Sequence, residues 1–135
     1  MDTNLYKQEG YDLVGAAYEV YNELGPGFLE EVYQEALEIE LSDRKVLFER
    51  QPKLEIEFKG NVLSKFYRPE LYVSSAIVVE LKAQALLRTE NQAQLLNYLK
   101  ATDKPVGYLI NFGNPNKLEF QRMLNPYLLK ISSNQ

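Results

Sequence analysis

Neither cysteine nor histidine occurs anywhere in this chain of 135 residues. Without cysteine there is no disulfide, no thiolate nucleophile and no Cys-ligated zinc or iron–sulfur centre. Without histidine the usual imidazole base and the commonest transition-metal ligand are gone as well. Catalysis must therefore fall to carboxylates, lysines, tyrosines or hydroxyls, and a bound metal must be a hard, oxygen-seeking ion such as Mg²⁺ or Mn²⁺. Long hydrophobic runs are also missing: nothing approaches the roughly twenty apolar residues of a membrane span. The start, Met1-Asp2-Thr3-Asn4, lacks the basic and apolar segments of a signal peptide. The expectation is a cytoplasmic protein with no membrane partner.

What is present fits one ordinary domain over residues 1–135, with 1–9 and 130–135 expected to fray. A chain of this length, 45% hydrophobic, can bury about two-thirds of its unfolded surface, enough for one core. The net charge of -4 hides an asymmetry. Residues 1–57 carry 14 acids and 5 bases (net −9), and residues 58–135 carry 5 acids and 10 bases (net +5). The two halves should present different surfaces. A basic second half is weak support for a polyanionic partner, and the acidic total argues against tight non-specific nucleic-acid binding.

No internal repeat, low-complexity tract or linker interrupts the chain. Val14, Ala17, Tyr18, Tyr21 and Leu24 recur at helical spacing from about Tyr11 to Leu24, and Gly25-Pro26-Gly27 stops that helix. A second helix is predicted from about Phe28 to Asp43. Strand-like runs follow at Val46 to Glu49, Leu54 to Phe58, Val62 to Val73 and Ala76 to Leu81, with hairpin turns at Lys59-Gly60-Asn61 and Ser74-Ser75. Thr89-x-x-Gln92 reads as a capping box opening a helix to about Ala101. Val106 to Phe112 is predicted as a buried strand and Leu118 to Leu124 as another. The order helix, helix, three or four strands, helix, two strands describes a small α/β sandwich on a mixed sheet.

Four places carry chemistry worth weighing. In Ile77-Val78-Val79-Glu80-Leu81-Lys82, Glu80 and Lys82 leave one face of the strand together while Ile77, Val79 and Leu81 face the other layer; alone, such a pair is first read as a surface ion pair. In the second helix Glu31, Glu35 and Glu38 form an outer polar stripe that needs no function. Glu30 shares a stripe with Tyr33 and Leu37 at the margin of an apolar face made by Leu29, Val32 and Ala36, and a carboxylate leaning inward wants a cation or donors. Gln94 and Tyr98 lie one turn apart and face one direction. Tyr67-Arg68-Pro69-Glu70-Leu71 sets a proline and an acid into a strand, which demands a bend, a bulge or an edge. With a two-residue turn at Ser74-Ser75, Glu70 lies opposite Val79 and faces away from Glu80; a bulge or an odd-length loop brings both acids to one face.

Taken in order, Gly27-x-x-Glu30-x-x-Tyr33, Pro69-Glu70, Glu80-Leu81-Lys82 and Gln94-x-x-x-Tyr98 resemble the GxxExxY branch of the PD-(D/E)XK nuclease-like superfamily over about residues 10–125. The specific parts are the Gly25-to-Tyr33 stretch and Ile77 to Ala83. The resemblance implies a restriction-endonuclease-like core of helix, three strands, helix and strand, with an additional N-terminal helix, on a mixed sheet. It implies a Mg-dependent nuclease or nuclease-like protein that hydrolyses phosphodiester bonds in DNA or RNA. Glu80, Glu70 and Lys82 match its catalytic set, and Glu30, Glu70 and Glu80 would hold one or two Mg²⁺ (or Mn²⁺) ions that activate water. Gln94, Tyr98 and Tyr33 would support the site or contact substrate. Glu70 departs from the pattern's aspartate by a methylene, about 1.5 Å of reach, and a misplacement near 1 Å can cost on the order of 10²-fold in rate. The alternative is a catalytically weakened binding or assembly module, a homodimer using some of the ten tyrosines.

Overall fold

The computed structural model describes residues 4–128. Helices α1 (Lys7–Leu24) and α2 (Glu30–Asp43) come first, then strands β1 (Phe48–Arg50), β2 (Leu54–Phe58), β3 (Asn61–Tyr67), β4 (Leu71–Val73) and β5 (Ile77–Lys82). Helix α3 (Thr89–Thr102) and strands β6 (Val106–Asn111) and β7 (Glu119–Leu124) follow. Residues 1–3 and 129–135 lie outside the described set, and with them much of the expected fraying. Of the rest of the N-terminal segment, Lys7 to Glu9 are already helical, and Leu5 and Tyr6 pack on the core.

Five strands form one sheet in the order β1-β4-β5-β6-β7, and β2-β3 form a separate two-stranded sheet. The β5–β6 pairing is parallel and every other pairing of the main sheet is antiparallel. The sheet is therefore mixed, with α3 as the crossover that parallel neighbours require. This is the expected α/β architecture of restriction-endonuclease type, with α1 as the additional N-terminal helix. The run expected as one strand over Val62 to Val73 is two, broken at Arg68-Pro69-Glu70. Proline cannot donate to a ladder, and here the chain leaves the small sheet for the large one.

Each face of the main sheet buries its own cluster. Ile77, Val79 and Leu81 of β5 meet Leu71 and Val73 of β4 and the α1/α2 residues Leu13, Val20, Leu37 and Leu41. Val78 and Leu109 meet Leu95 and Leu99 of α3 together with Leu54 and Tyr67 of the small sheet. The helix faces differ from expectation by a partial rotation. In α1 Leu13, Ala16 and Val20 are buried with Ala17, while Tyr18 and Leu24 are exposed. In α2 the buried row is Tyr33, Leu37 and Leu41, with Leu29 and Val32 exposed. Nor is Glu38 a plain solvated acid, since it accepts from Gln34 Nε2 at 3.1 Å and pairs with Arg50 at 3.1 Å. The α3 cap is also different: Asn91 Oδ1 accepts the Arg88 N–H at 3.1 Å, and Thr89 is already helical.

Two turns decide what faces what. Lys59 and Gly60, at φ 49 and φ 79, form a two-residue hairpin in which Phe58 pairs with Asn61. The β4–β5 loop has three residues, not the expected two. Val73 pairs with Ile77 and Leu71 with Val79, and Ser74 and Ser75 hold positive φ. Since strand side chains alternate, this odd-length loop, the alternative to a two-residue turn, puts Glu70 beside Glu80.

Helix α1 approaches the sheet closely at Gly10, where an added Cβ would lie 2.1 Å from the buried Tyr108 hydroxyl. Helix propensity alone favours alanine there by about 1 kcal/mol. Overpacking should win: Gly10→Ala is expected to lower unfolding free energy in urea by roughly 1–3 kcal/mol, and a gain in stability would contradict the packing described.

Candidate active site

The loop that starts α2 is built from the Gly27-to-Tyr33 stretch. Gly27 holds φ 110, a backbone conformation that suits glycine. Tyr33 is fully buried and stacks on Phe112 with ring centroids 4.7 Å apart. Its hydroxyl donates to the Gly25 carbonyl at 2.5 Å and accepts from the Phe28 N–H at 3.2 Å. Tyr33 thus staples both ends of the glycine loop and offers no surface to a substrate; its part is support. Glu30, the first residue of α2, is exposed and its charge is felt at Glu80. It lines a cavity of about 490 Å³ with Gln34, Arg68 and Glu70.

Glu70 sits where β4 begins. Its carbonyl accepts from the Gln51 N–H at 2.9 Å and from Gln34 Nε2 at 3.3 Å, which ties the start of the strand to β1 and α2. Its carboxyl lies within electrostatic reach of that of Glu80, and Glu70 Oε2 is buried with no hydrogen-bond partner. Removal from water, with the Glu80 charge next in weight, pushes Glu70 from an ordinary 4.5 up to about 8. Burial raises Glu80 too, opposed by Tyr67 and Lys82. Two such neighbours cannot both ionise cheaply, so near neutrality they titrate as a pair that retains a proton.

Partners divide the two oxygens of Glu80. Oε1 accepts the Tyr67 hydroxyl, and Oε2 lies 4.0 Å from Lys82 Nζ. Burial and the Glu80 charge push the Tyr67 hydroxyl far above its ordinary range, so it remains a donor. Tyr67 stacks face to face on Tyr98, centroids 3.9 Å apart. Glu80, Lys82, Tyr67, Arg68, Gln94 and Tyr98 line a second cavity of about 310 Å³. Arg68 lines both cavities, so the carboxylate pair stands between them.

Of the residues singled out in the sequence, Glu80 and Lys82 share a cavity with Gln94 and Tyr98, and Glu70, adjacent to Glu80, opens on the neighbouring cavity. Glu30 is at the neighbouring cavity and Tyr33 is beneath. Among the described residues no three acidic groups converge at metal-ligand spacing. Tyr67 was given no role by sequence reasoning. The one available signal was its position three residues ahead of Glu70, just before the chain changes sheets.

Residues 7–123 match the profile of the PD-(D/E)XK nuclease superfamily. The chain belongs to that superfamily. Among solved structures it is similar to one titled "Crystal structure of SSO0001", at 18% identity and TM-score 0.53, covering 96% of this chain and 66% of that one. At that identity the likeness concerns the fold alone. No curated protein matches the chain.

The raised Glu70 has a definite pH signature. Between about 4.5 and about 8 the folded chain keeps a proton that the unfolded chain has released, so stability falls as pH rises through that window. Thermal unfolding followed by circular dichroism should show that decline. Glu70→Gln should flatten it and raise Tm at pH 8 by roughly 5 °C; an unchanged slope would mean the pair is ionised without cost.

Proposed function

We propose that this PD-(D/E)XK domain is a divalent-metal-dependent nuclease or nuclease-like protein of the GxxExxY branch, acting on phosphodiester bonds of DNA or RNA. The observation that carries the reading is the half-buried Glu70–Glu80 pair, with Glu70 Oε2 buried and unpartnered and Lys82 alongside. A half-buried carboxylate pair retaining a proton is a natural site for a cation in that proton's place. The donor set is all oxygen, which suits Mg²⁺ or Mn²⁺, one or two ions, and no thiophilic metal. Glu70 and Glu80 would hold it, with Glu30 supplying further negative charge from the mouth of the adjoining cavity. Bound there, the cation would offset phosphate charge and acidify a water.

The chain's own groups have separable parts. Tyr67 fixes Glu80 through Oε1 and leaves Oε2 toward Lys82. The Lys82 ammonium is placed to orient an attacking water or to offset the charge that grows in the transition state. Arg68, between the two cavities, is placed to bind a phosphate oxygen. Gln94 and Tyr98 wall the space in which the scissile group would lie. One observation favours a second reading, a catalytically weakened nucleic-acid-binding or assembly module, a homodimer among its forms. With glutamate where the motif has aspartate, and without three acids gathered at ligand spacing among the described residues, the site would need a small rearrangement to close around a metal.

Calorimetric titration with Mn²⁺ and a nuclease assay on mixed DNA and RNA substrates separate the two. The nuclease reading expects Mn²⁺ binding that Glu80→Gln abolishes, and cleavage that Lys82→Ala lowers by on the order of 10²–10³-fold while metal binding persists. If the wild-type chain takes up no Mn²⁺ and cuts nothing, the module reading replaces it.

A further inference from the structure

The small sheet is unlike the rest of the molecule. Every residue of β3 except Tyr67 is exposed, and Phe58 (59%), Val62 (55%), Leu63 (41%) and Phe66 (40%) all face solvent. Core packing does not explain such residues on a two-stranded ribbon, since two strands alone have little to gain from them. Cations accompany the rings: Lys53 lies 4.7 Å and Arg68 5.0 Å from the Phe66 ring centre, and Lys59 5.4 Å from that of Phe58. Residues 53–68 hold four bases, Lys53, Lys59, Lys65 and Arg68, against Glu55 and Glu57. This stretch is basic in a chain of net charge -4. The ribbon also runs directly into the site, since Phe66, Tyr67 and Arg68 line the cavity that holds Glu80 and Lys82.

We infer that the β2–β3 hairpin is a binding arm for unpaired nucleotides, with Phe66 stacking on a base and Lys53 and Arg68, the two cations against its ring, taking the flanking phosphates, so that the strand is led toward Glu80 and Lys82. The inference rests on the proposed reading for its link to cleavage, but not for binding itself. An exposed ring between cations suits a strand whose base faces are free, because base–aromatic stacking tolerates any sequence and cations track the backbone. Within a duplex those faces are covered by neighbouring bases. A second copy of the chain is the less suitable occupant. A two-fold contact sets the same surface against itself, which would bring the hairpin's basic groups together.

The test is fluorescence anisotropy of a labelled 20-nucleotide oligo-dT or oligo-U, and of a blunt 20-base-pair duplex, in EDTA, with the full chain. The single strand should bind more tightly than the duplex. Phe66→Ala should weaken single-strand binding roughly tenfold with little effect on the duplex, and Lys53→Gln should reduce the salt slope by about one ion's worth. Phe66→Leu, which keeps apolar bulk without the π face, should behave like Phe66→Ala. Circular dichroism of each variant checks that the fold is retained. Equal binding by wild type and Phe66→Ala overturns the inference, as does a preference for the duplex, or a self-association in sedimentation that Phe66→Ala abolishes in the absence of oligonucleotide binding. If the arm binds as stated while no metal supports cleavage, the hairpin assignment stands and the nuclease reading falls; cleavage that Phe66→Ala leaves untouched, on both single and double strands, does the reverse.

Discussion

Two carboxyl groups held close to each other and largely shielded from water are a costly arrangement, and groups from several elements of the fold hold them there. Glu70 and Glu80 come from strands joined by three residues, and each is fixed by groups from elsewhere. Gln34 of α2 and the Gln51 backbone hold the Glu70 carbonyl; Tyr67 and Lys82 take one oxygen each of Glu80. Burial raises both acids. Such a pair is poor material for stability, because an uncompensated buried charge destabilises. Its presence in an otherwise apolar sheet is what directs attention to function.

The superfamily scaffold explains how so short a chain achieves this. The β5–α3–β6 crossover places the Glu80 and Lys82 face of β5 under α3, while α1 and α2 cover the reverse face. Glu80 and Lys82 therefore leave the sheet into a space that α3 only partly fills, beside Gln94 and Tyr98. The glycine loop before α2 has a separate task. Through the Tyr33 staple it sets where the first turn of α2 begins, and so where Glu30 stands relative to the pair.

Much of this was legible in the residues, and the exceptions have physical reasons. Helix stops, the Lys59-Gly60 turn and the buried β6 run are local signals, and each appears where its own chemistry puts it. The facing of Glu70 was not local: one residue more in the β4–β5 loop exchanges every side chain between faces, and Ser74 and Ser75 adopt positive φ without the glycine that would have advertised it. The buried faces of α1 and α2 are not legible from spacing, because tyrosine, leucine and valine occupy both sides of these helices and make two nearly equivalent stripes. Pro69 announced a break in the strand but not that the two pieces join different sheets. Tyr67 escaped notice because a lone tyrosine at a strand end is ordinary until its hydroxyl is seen against a carboxylate.

The Tyr67–Tyr98 stack has a mechanical side. Tyr67 is the last residue of the small sheet, yet its ring is clamped on α3 and its hydroxyl on β5. The ribbon consequently cannot swing away from the body as a passive flap. Any outward motion at its base must unstack the rings, withdraw a proton donor from Glu80 and admit solvent to both acids at once, so the posture of the arm and the charge state beneath it are a single coupled variable.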